Sequence, residues 1–193
     1  MEEVEVKFLN INPETIQKKI SDLGGKKIFD KLYRRRIFDY PDLRLDKEGA
    51  WIRLRDEGEQ ITLTFKKRLG LKTHDGTVND EGMEEVEVIV SNFDATAELL
   101  LKIGLKEKRY MENRRIRYQF NGVELDIDFY PQLKPFLEIE AKSWDKIDET
   151  INWLGLNPVD KKIFSTNQVY RLNGIEESEY SRITPEEMVK KTK

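Results

Sequence analysis

Apolar and charged residues alternate along much of this chain. The alternation begins at Val4-Glu5-Val6-Lys7 and returns at Glu85-Val86-Glu87-Val88. Because successive side chains of a strand point to opposite faces, such a segment is predicted to be a strand with one apolar and one charged face. The predicted strands cover residues 2–9, 32–39, 50–55, 60–68, 84–91, 114–120, 122–130 and 136–141.

Three segments with helical spacing interrupt these strands. The first begins at Asn12-Pro13, a cap residue followed by proline, and ends at Gly24. The other two run from about Asp94 to Gly104 and from Trp144 to Gly155. We therefore predict an α+β fold in which an eight-stranded, mainly antiparallel closed barrel has helices packed outside it.

The charged faces separate the two signs of charge. Arg53 and Arg55 lie two residues apart on one strand, as do Glu138 and Glu140 on another. At ~7 Å, two like charges repel by about 0.6 kcal/mol in water and by about 2.4 kcal/mol at an effective dielectric of 20. A face that only keeps a sheet soluble would mix the signs, although a water-facing side is the commonest antiparallel arrangement. We therefore expect the charged faces to line an enclosed cavity and the helices to cover the aliphatic faces.

Composition narrows the chemistry of that cavity. The chain has 34 Lys and Arg against 37 Asp and Glu, a net charge of −3, so general binding to nucleic acid or anionic membranes is not expected. It has no Cys, which excludes thiolate chemistry. Its single histidine, His74, lies in a predicted loop from Leu69 to Gly82, which disfavours a zinc site built from histidines. Clustered carboxylates suit Mg²⁺ or Mn²⁺, and clustered bases suit an extended polyanion. The sequence thus indicates a metal-bound triphosphate or nucleotide as ligand.

The ordered strings along the chain resemble those of the CYTH superfamily, or triphosphate tunnel metalloenzymes. The strings are Glu3-Val4-Glu5-Val6-Lys7, Trp51-Ile52-Arg53-Leu54-Arg55, Leu63-Thr64-Phe65-Lys66, Glu85-Val86-Glu87, Arg115-Ile116-Arg117-Tyr118, Leu125-Asp126-Ile127-Asp128 and Phe136-Leu137-Glu138-Ile139-Glu140. The string from Asp128-Phe129-Tyr130-Pro131 through Pro135-Phe136-Leu137-Glu138-Ile139-Glu140 is similar to that of the branch described as class IV adenylate cyclase-like and thiamine triphosphatase-like. The resemblance covers about residues 2 to 172 and implies a tunnel domain, which we place over residues 1–174. The charged residues after Gly174 predict a C-terminal extension over 175–193.

The resemblance also implies roles for individual residues. Phosphate binding is expected of Lys7, Arg53, Arg55, Lys66, Arg115 and Arg117, of which Lys7, Arg55, Lys66 and Arg115 are the expected catalytic residues. A divalent metal, Mg²⁺ or Mn²⁺, is expected at Glu3, Glu5, Glu138 and Glu140. The expected residues around that metal, or ligands of a second one, are Glu85, Glu87, Asp126 and Asp128.

Two departures from the family pattern bear on function. Many members have Lys or Arg just before a C-terminal Tyr, whereas Gln168-Val169 precedes Tyr170 here, which leaves Lys161 and Lys162 as candidates to replace it. The run Arg34-Arg35-Arg36 stands where many members have acidic or amide residues, so an altered substrate preference is expected.

Four functions stay open at this point. The favoured one is a metal-dependent triphosphatase acting on tripolyphosphate, thiamine triphosphate or ATP. The alternatives are an adenylate cyclase that forms cyclic AMP and pyrophosphate, a non-catalytic binder of triphosphates or nucleotides, and a structural barrel whose charges only pair with one another. We expect a cytoplasmic monomer or homodimer that does not associate with membranes.

Overall fold

The computed structural model describes residues 4–69 and 83–192. His74 and the loop predicted beyond Leu69 lie outside these residues. The described strands are β1 (Val4–Phe8), β2 (Lys26–Asp39), β3 (Ala50–Asp56), β4 (Ile61–Arg68), β5 (Met83–Val90), β6 (Lys106–Phe120), β7 (Val123–Phe129), β8 (Phe136–Ala141), β9 (Tyr180–Ile183) and β10 (Met188–Lys190). The helices are α1 (Pro13–Asp22), α2 (Arg44–Lys47), α3 (Phe93–Lys102), α4 (Trp144–Trp153) and α5 (Thr166–Leu172), with 3₁₀ turns at Pro158–Asp160 and Glu177–Glu179. Among these described helices, none has the length and apolar character needed to cross a membrane.

The chain forms two compact units, and neither is continuous in sequence. The first unit consists of Met1–Leu32 and Asn113–Glu177, and the second of Tyr33–Glu112 and Ser178–Lys193. The long strands β2 and β6 each contribute residues to both units.

The first unit contains strands in the order β1-β8-β7-β6-β2, in which β1, β8, β7 and β6 pair antiparallel. Helix α1 is capped by Asn12, whose side chain accepts from the Thr15 amide, and it buries Ile16 and Ile20. Helix α4 buries Ile147 and Ile151. These two helices lie on the aliphatic face formed by Val6, Ile116, Leu125, Ile127, Leu137 and Ile139. The predicted helix-covered apolar face is confirmed in this unit.

The second unit orders its strands β6-β2-β3-β4-β5, with β2, β3, β4 and β5 antiparallel. Helix α3 places Phe93, Ala97 and Leu100 against Phe38 of β2 and Leu54 of β3. The aliphatic face of β5 does not receive this cover, because Val86 and Val88 are 59% and 52% exposed. The expectation that helices cover every aliphatic face is therefore wrong for β5, which lies at the end of the strand order while α3 packs over β2 and β3.

The C-terminal residues extend the sheet of the second unit. Strand β9 pairs parallel with β6, and β10 pairs antiparallel with β9. Ile183 of β9 is fully buried, so this part of the charged extension is anchored by an apolar residue. The α+β class and the mainly antiparallel sheet are confirmed, but the sheet has ten described strands rather than eight. Its hydrogen-bonded order runs from β1 to β5 without closing on itself in the described residues, so a closed barrel is not confirmed.

Candidate functional site

The carboxylates of the first unit face one another across β1, β7 and β8. Glu5 lies directly opposite Glu140, which in turn lies opposite Glu124, and Asp126 lies opposite Glu138. Like charges placed directly opposite destabilise a sheet. This charged face therefore needs cations to be stable.

Arg115 contacts three of these carboxylates. Its Nη1 lies 2.5 Å from Asp126 Oδ2, and its Nη2 lies 2.6 Å from Asp128 Oδ2 and 3.2 Å from Glu138 Oε1. The Nε also donates to Asp128 Oδ1 at 2.9 Å, which makes that pair bidentate. Burial opposes the charged form, but the carboxylates of Asp128, Glu138 and Asp126 raise the pKa of Arg115. Arg115 is thus a fixed positive charge that three buried acids share.

Lys7 neutralises the neighbouring carboxylates. It is only 2% exposed, and its Nζ lies 3.0 Å from Glu138 Oε2 and also donates to Glu5. Burial alone would raise the pKa of Glu138, but Lys7 and Arg115 outweigh it and lower that pKa to about 2. Glu138 is therefore ionised at neutral pH and shared by two cations.

The acids on this face share their cations with one another. Arg117 lies 2.6 Å from Glu124 and 2.7 Å from Asp126, so it too is engaged by acids. Lys7, Arg115 and Arg117 together contact at least five of the six carboxylates on the face, which are Glu5, Glu124, Asp126, Asp128, Glu138 and Glu140. By charge and by their hard oxygen donors, these residues fit a divalent cation.

The carboxylates are not, however, arranged as a ready metal centre. In residues 4–69 and 83–192, no group of three or more acidic or histidine side chains has metal-binding geometry. The physical reason is that Lys7 and Arg115 already contact Glu138, Asp126 and Asp128. Glu3, a predicted metal ligand, lies outside the described residues.

The second unit gathers positive charge on the face of its sheet that lies away from helix α3. We call Arg35, Arg53, Arg55 and Lys66 the basic row. In register, Arg35 lies directly opposite Arg55, and Lys66 lies opposite Trp51, two residues before Arg53. The row therefore extends over three successive side-chain levels of β3, or ~14 Å along the strand.

The acids near the basic row only partly neutralise it. Lys66 Nζ lies 2.6 Å from Glu85, whereas Arg53 Nη2 lies 3.7 Å from Glu87, whose side chain is 41% exposed. Burial, reinforced by Arg55 and Arg35, lowers the pKa of Arg53 to about 10. Glu85 and Glu87, predicted to lie near the metal, thus contact the basic residues of their own unit.

Two polar atoms on the same face have no partner of their own. The Nε of Arg53 and the Oγ1 of Thr62, which lies opposite Arg55, are buried and make no hydrogen bond within the described residues. Leaving a buried polar atom unsatisfied typically costs about 1–3 kcal/mol. A ligand rich in negatively charged oxygen atoms would offer acceptors to both.

The run of three arginines divides between the two faces of β2. Arg34 lies 2.5 Å from Asp56 and stacks over the Phe93 ring, with its guanidinium carbon 4.8 Å from the ring centre. Arg36 lies 3.1 Å from both Asp94 and Glu107. Both are therefore on the side of helix α3, and alternation leaves Arg35 on the charged face.

The candidate C-terminal lysines also separate. Lys161 lies 3.2 Å from Asp148 and close to the Trp144 ring, so it is engaged by helix α4. Lys162 forms an isolated antiparallel bridge with Lys7, exchanging hydrogen bonds of 2.8 and 2.9 Å between their backbones. Residues paired in this way project to the same side, which places Lys162 on the Lys7 face. The sequence alone did not distinguish these two lysines.

Comparison with known proteins adds a family and several structural relatives. The family model described as the CYTH domain matches residues 1–154. No curated protein matches the chain significantly.

Three solved structures illustrate the structural likeness. A conserved hypothetical protein from Pyrococcus furiosus has a TM-score of 0.66 at 23% identity, covering 87% of this chain and 99% of its own. A putative adenylate cyclase from Vibrio parahaemolyticus has a TM-score of 0.68 at 14% identity, covering 88% and 97%. HpAC1 from Hippeastrum, described as a putative adenylyl cyclase with a dominant triphosphatase activity, has a TM-score of 0.59 at 16% identity, covering 92% and 98%. At these identities the likeness establishes the fold alone.

Proposed function

Because the chain belongs to the CYTH domain family, we propose that it is a divalent-metal-dependent triphosphatase. It cleaves a phosphoanhydride bond of inorganic triphosphate, or of an organic triphosphate such as thiamine triphosphate or ATP. The observation that carries this proposal is the basic row, in which four cations share one largely buried face with two unsatisfied polar atoms.

The basic row binds and polarises the phosphate chain. Arg53 and Arg55 offer guanidinium forks that match phosphate oxygens, and Lys66 supplies a point charge. Negative charge moves among these oxygens as a phosphoryl group is transferred, so fixed cations stabilise the transition state. The side chains of Arg53 and Lys66 are only 16% and 14% exposed, so the surrounding protein already holds them in place. Little rearrangement is therefore needed when the phosphate chain binds.

The carboxylates supply the metal site. Glu5, Glu138 and Glu140 would hold Mg²⁺ or Mn²⁺ together with Glu3, and Asp126 and Asp128 support them through Arg115. When bound, the metal supplies charge neutralisation at phosphate oxygens. Lys7 is positioned between Glu5 and Glu138, and it helps to lower the pKa of Glu138. Phosphate binding by Lys7, Arg115 and Arg117 stays a prediction, because carboxylates engage each of them.

Hydrolysis is preferred to cyclisation on the strength of one relative. HpAC1, which shares this fold, is described as having a dominant triphosphatase activity although it was regarded as an adenylyl cyclase. The likeness to the Vibrio putative adenylate cyclase makes cyclic AMP formation the second candidate.

Phosphate release and cyclic AMP formation test the two activities together. The wild-type protein is incubated with tripolyphosphate, thiamine triphosphate or ATP, with Mg²⁺, with Mn²⁺ or with chelator. We expect metal-dependent phosphate release, whereas cyclic AMP with pyrophosphate as the main product from ATP would favour the cyclase. Release of neither product from any of the three would rule out both activities.

Adjacent lysines provide a matched control for the phosphate site. Lys66→Ala removes a member of the basic row, whereas Lys67→Ala removes a neighbouring charge whose Nζ lies 3.1 Å from Glu48. We expect Lys66→Ala to lower kcat/KM at least ~10-fold, the scale of one charge-assisted hydrogen bond, and Lys67→Ala to change it little. Equal effects of the two variants would contradict the assignment of the basic row.

A further inference from the structure

Arg35 adds positive charge at one end of the basic row. It lies directly opposite Arg55 on β2 and β3, and the next members along the row are Arg53 and then Lys66. Two guanidinium groups therefore share one level of the face, while Arg53 and Lys66 occupy the next two levels singly. Positive charge is concentrated at the Arg35 and Arg55 end.

The two guanidinium groups at this end interact with each other and with a nearby acid. Like charges directly opposite each other on a sheet repel, and the side chain of Arg55 is only 25% exposed. Glu57, which lies 2.5 Å from Arg55, supplies one negative charge at this end. The repulsion extends to the next level, where Arg35 contributes to lowering the pKa of Arg53.

The neighbouring arginines have a different role. Arg34 and Arg36 lie on the opposite face of β2, where Asp56, Asp94 and Glu107 neutralise them and the Phe93 ring stacks against both. They serve the packing of α3. Of the three consecutive arginines, Arg35 is the one on the charged face.

A linear phosphate chain also has its charge unevenly distributed. Each internal phosphate carries one negative charge, whereas a terminal phosphate ionises a second time near pH 6, as phosphomonoesters do. The terminal group also has the largest number of free oxygens for guanidinium forks. Two guanidinium groups at one level match such an end better than a single cation does.

We infer that Arg35 is a further phosphate-binding residue of this chain and that, with Arg55, it holds the terminal phosphate of a linear polyphosphate. This inference rests on the proposed function, because it assumes that the basic row binds phosphate. It makes the site selective for ligands with a free phosphate end over cyclic phosphates of equal phosphate number.

Calorimetric titration of the full chain tests the inference. The ligands are the methylene-bridged analogue of tripolyphosphate, which resists hydrolysis, and cyclic trimetaphosphate, which has no terminal phosphate. Titrations are made at pH 8 with and without Mg²⁺. The proteins are the wild type, Arg35→Gln and Arg34→Gln, two variants that each remove one positive charge from adjacent positions of one strand. Arg35→Lys serves as a second variant that keeps the charge and loses the fork.

Arg35→Gln is expected to weaken binding of the linear analogue about 10-fold or more and binding of trimetaphosphate less than about 3-fold. Arg34→Gln is expected to leave both affinities within about 3-fold of the wild type, and Arg35→Lys to give an intermediate loss for the linear ligand. Thermal unfolding of each variant is recorded in parallel to confirm that it is folded.

The possible failures are distinguishable. If the wild type binds the linear analogue while Arg35→Gln and Arg34→Gln bind it equally well, the role of Arg35 is wrong and the basic row stands. If Arg35→Gln weakens linear and cyclic ligands equally, the terminal-phosphate assignment is wrong. If the wild type binds neither ligand with or without Mg²⁺, the proposed function itself is wrong.

Discussion

Replacing Arg115 by methionine tests whether this guanidinium holds the acidic face of the first unit together. Arg115→Met keeps a long side chain and removes the charge shared by Asp126, Asp128 and Glu138. The side chains of these acids are only 2%, 0% and 9% exposed, so water cannot replace the lost partner. Removing one partner from a buried ion network typically costs about 3–5 kcal/mol. That loss is a large fraction of the roughly 5–15 kcal/mol by which a typical domain is stable.

Urea unfolding at pH 7 measures the loss, and the adjacent residue supplies the control. Arg114 lies 2.7 Å from Asp30, with side chains 51% and 30% exposed, so Arg114→Met is expected to cost less than about 1 kcal/mol. If both variants unfold at the same urea concentration, Arg115 does not neutralise the buried acids.

The pH dependence of the Arg115 variant gives a second, independent reading. Without Arg115 the three acids lie buried beside one another, which raises their pKa values above those in the unfolded chain. Protonation on folding then becomes favourable, so the variant recovers stability relative to the wild type as the pH falls from 7 towards 4. A deficit that stays constant over this range would mean that lost packing, rather than lost charge, causes it.

Three further results follow from other contacts. Gly25→Ala is expected to lower the free energy of unfolding by about 1–3 kcal/mol, since its new Cβ would lie 2.4 Å from Ile20 Cγ2 and 2.8 Å from Ile20 O; an unchanged urea midpoint would contradict that crowding. The hydrogen bond from Arg114 lowers the pKa of Asp30 to about 2, below its usual 3.8. At pH 6 the wild type should therefore be more stable than Asp30→Asn by about 0.5–1 kcal/mol in urea unfolding. This difference should disappear as the pH drops from 4 towards 2 and Asp30 becomes protonated. Val86→Ser, at a site 59% exposed, should cost less than about 0.5 kcal/mol by the same assay, and a loss above about 1.5 kcal/mol would mean that the β5 face is covered.

Sequence patterning predicts which face of each strand is charged, because alternation fixes the direction of every second side chain. The faces carrying Arg53 and Glu138 follow directly from that rule. The alternation rule does not predict how far a strand extends where the alternation is imperfect. Strand β2 begins at Lys26 and β6 at Lys106, both earlier than predicted, in segments where charged residues occupy both faces. Pairing with a neighbouring strand, which depends on the whole fold, extends them.

The sequence also does not predict which residues each charged side chain contacts. The pattern places Arg115, Asp126 and Asp128 on charged faces, but the three ion pairs of Arg115 depend on strand register. The same holds for Arg35, since its position opposite Arg55 appears only once β2 and β3 are aligned. The sequence does show Arg35 in the middle of the β2 segment. Because Arg34 and Arg36 flank it, the sequence alone does not indicate which of the three lies on the charged face.

The interleaving of the two units along the chain has a consequence for biosynthesis. During translation, β1 emerges early but must wait for β8, its antiparallel partner, so the first unit cannot assemble until most of the polypeptide has left the ribosome. At roughly 5–20 residues per second, its apolar strands and like-charged faces remain without their native partners for several seconds. Nascent chains stalled before residue 136 should therefore be sensitive to protease throughout β1.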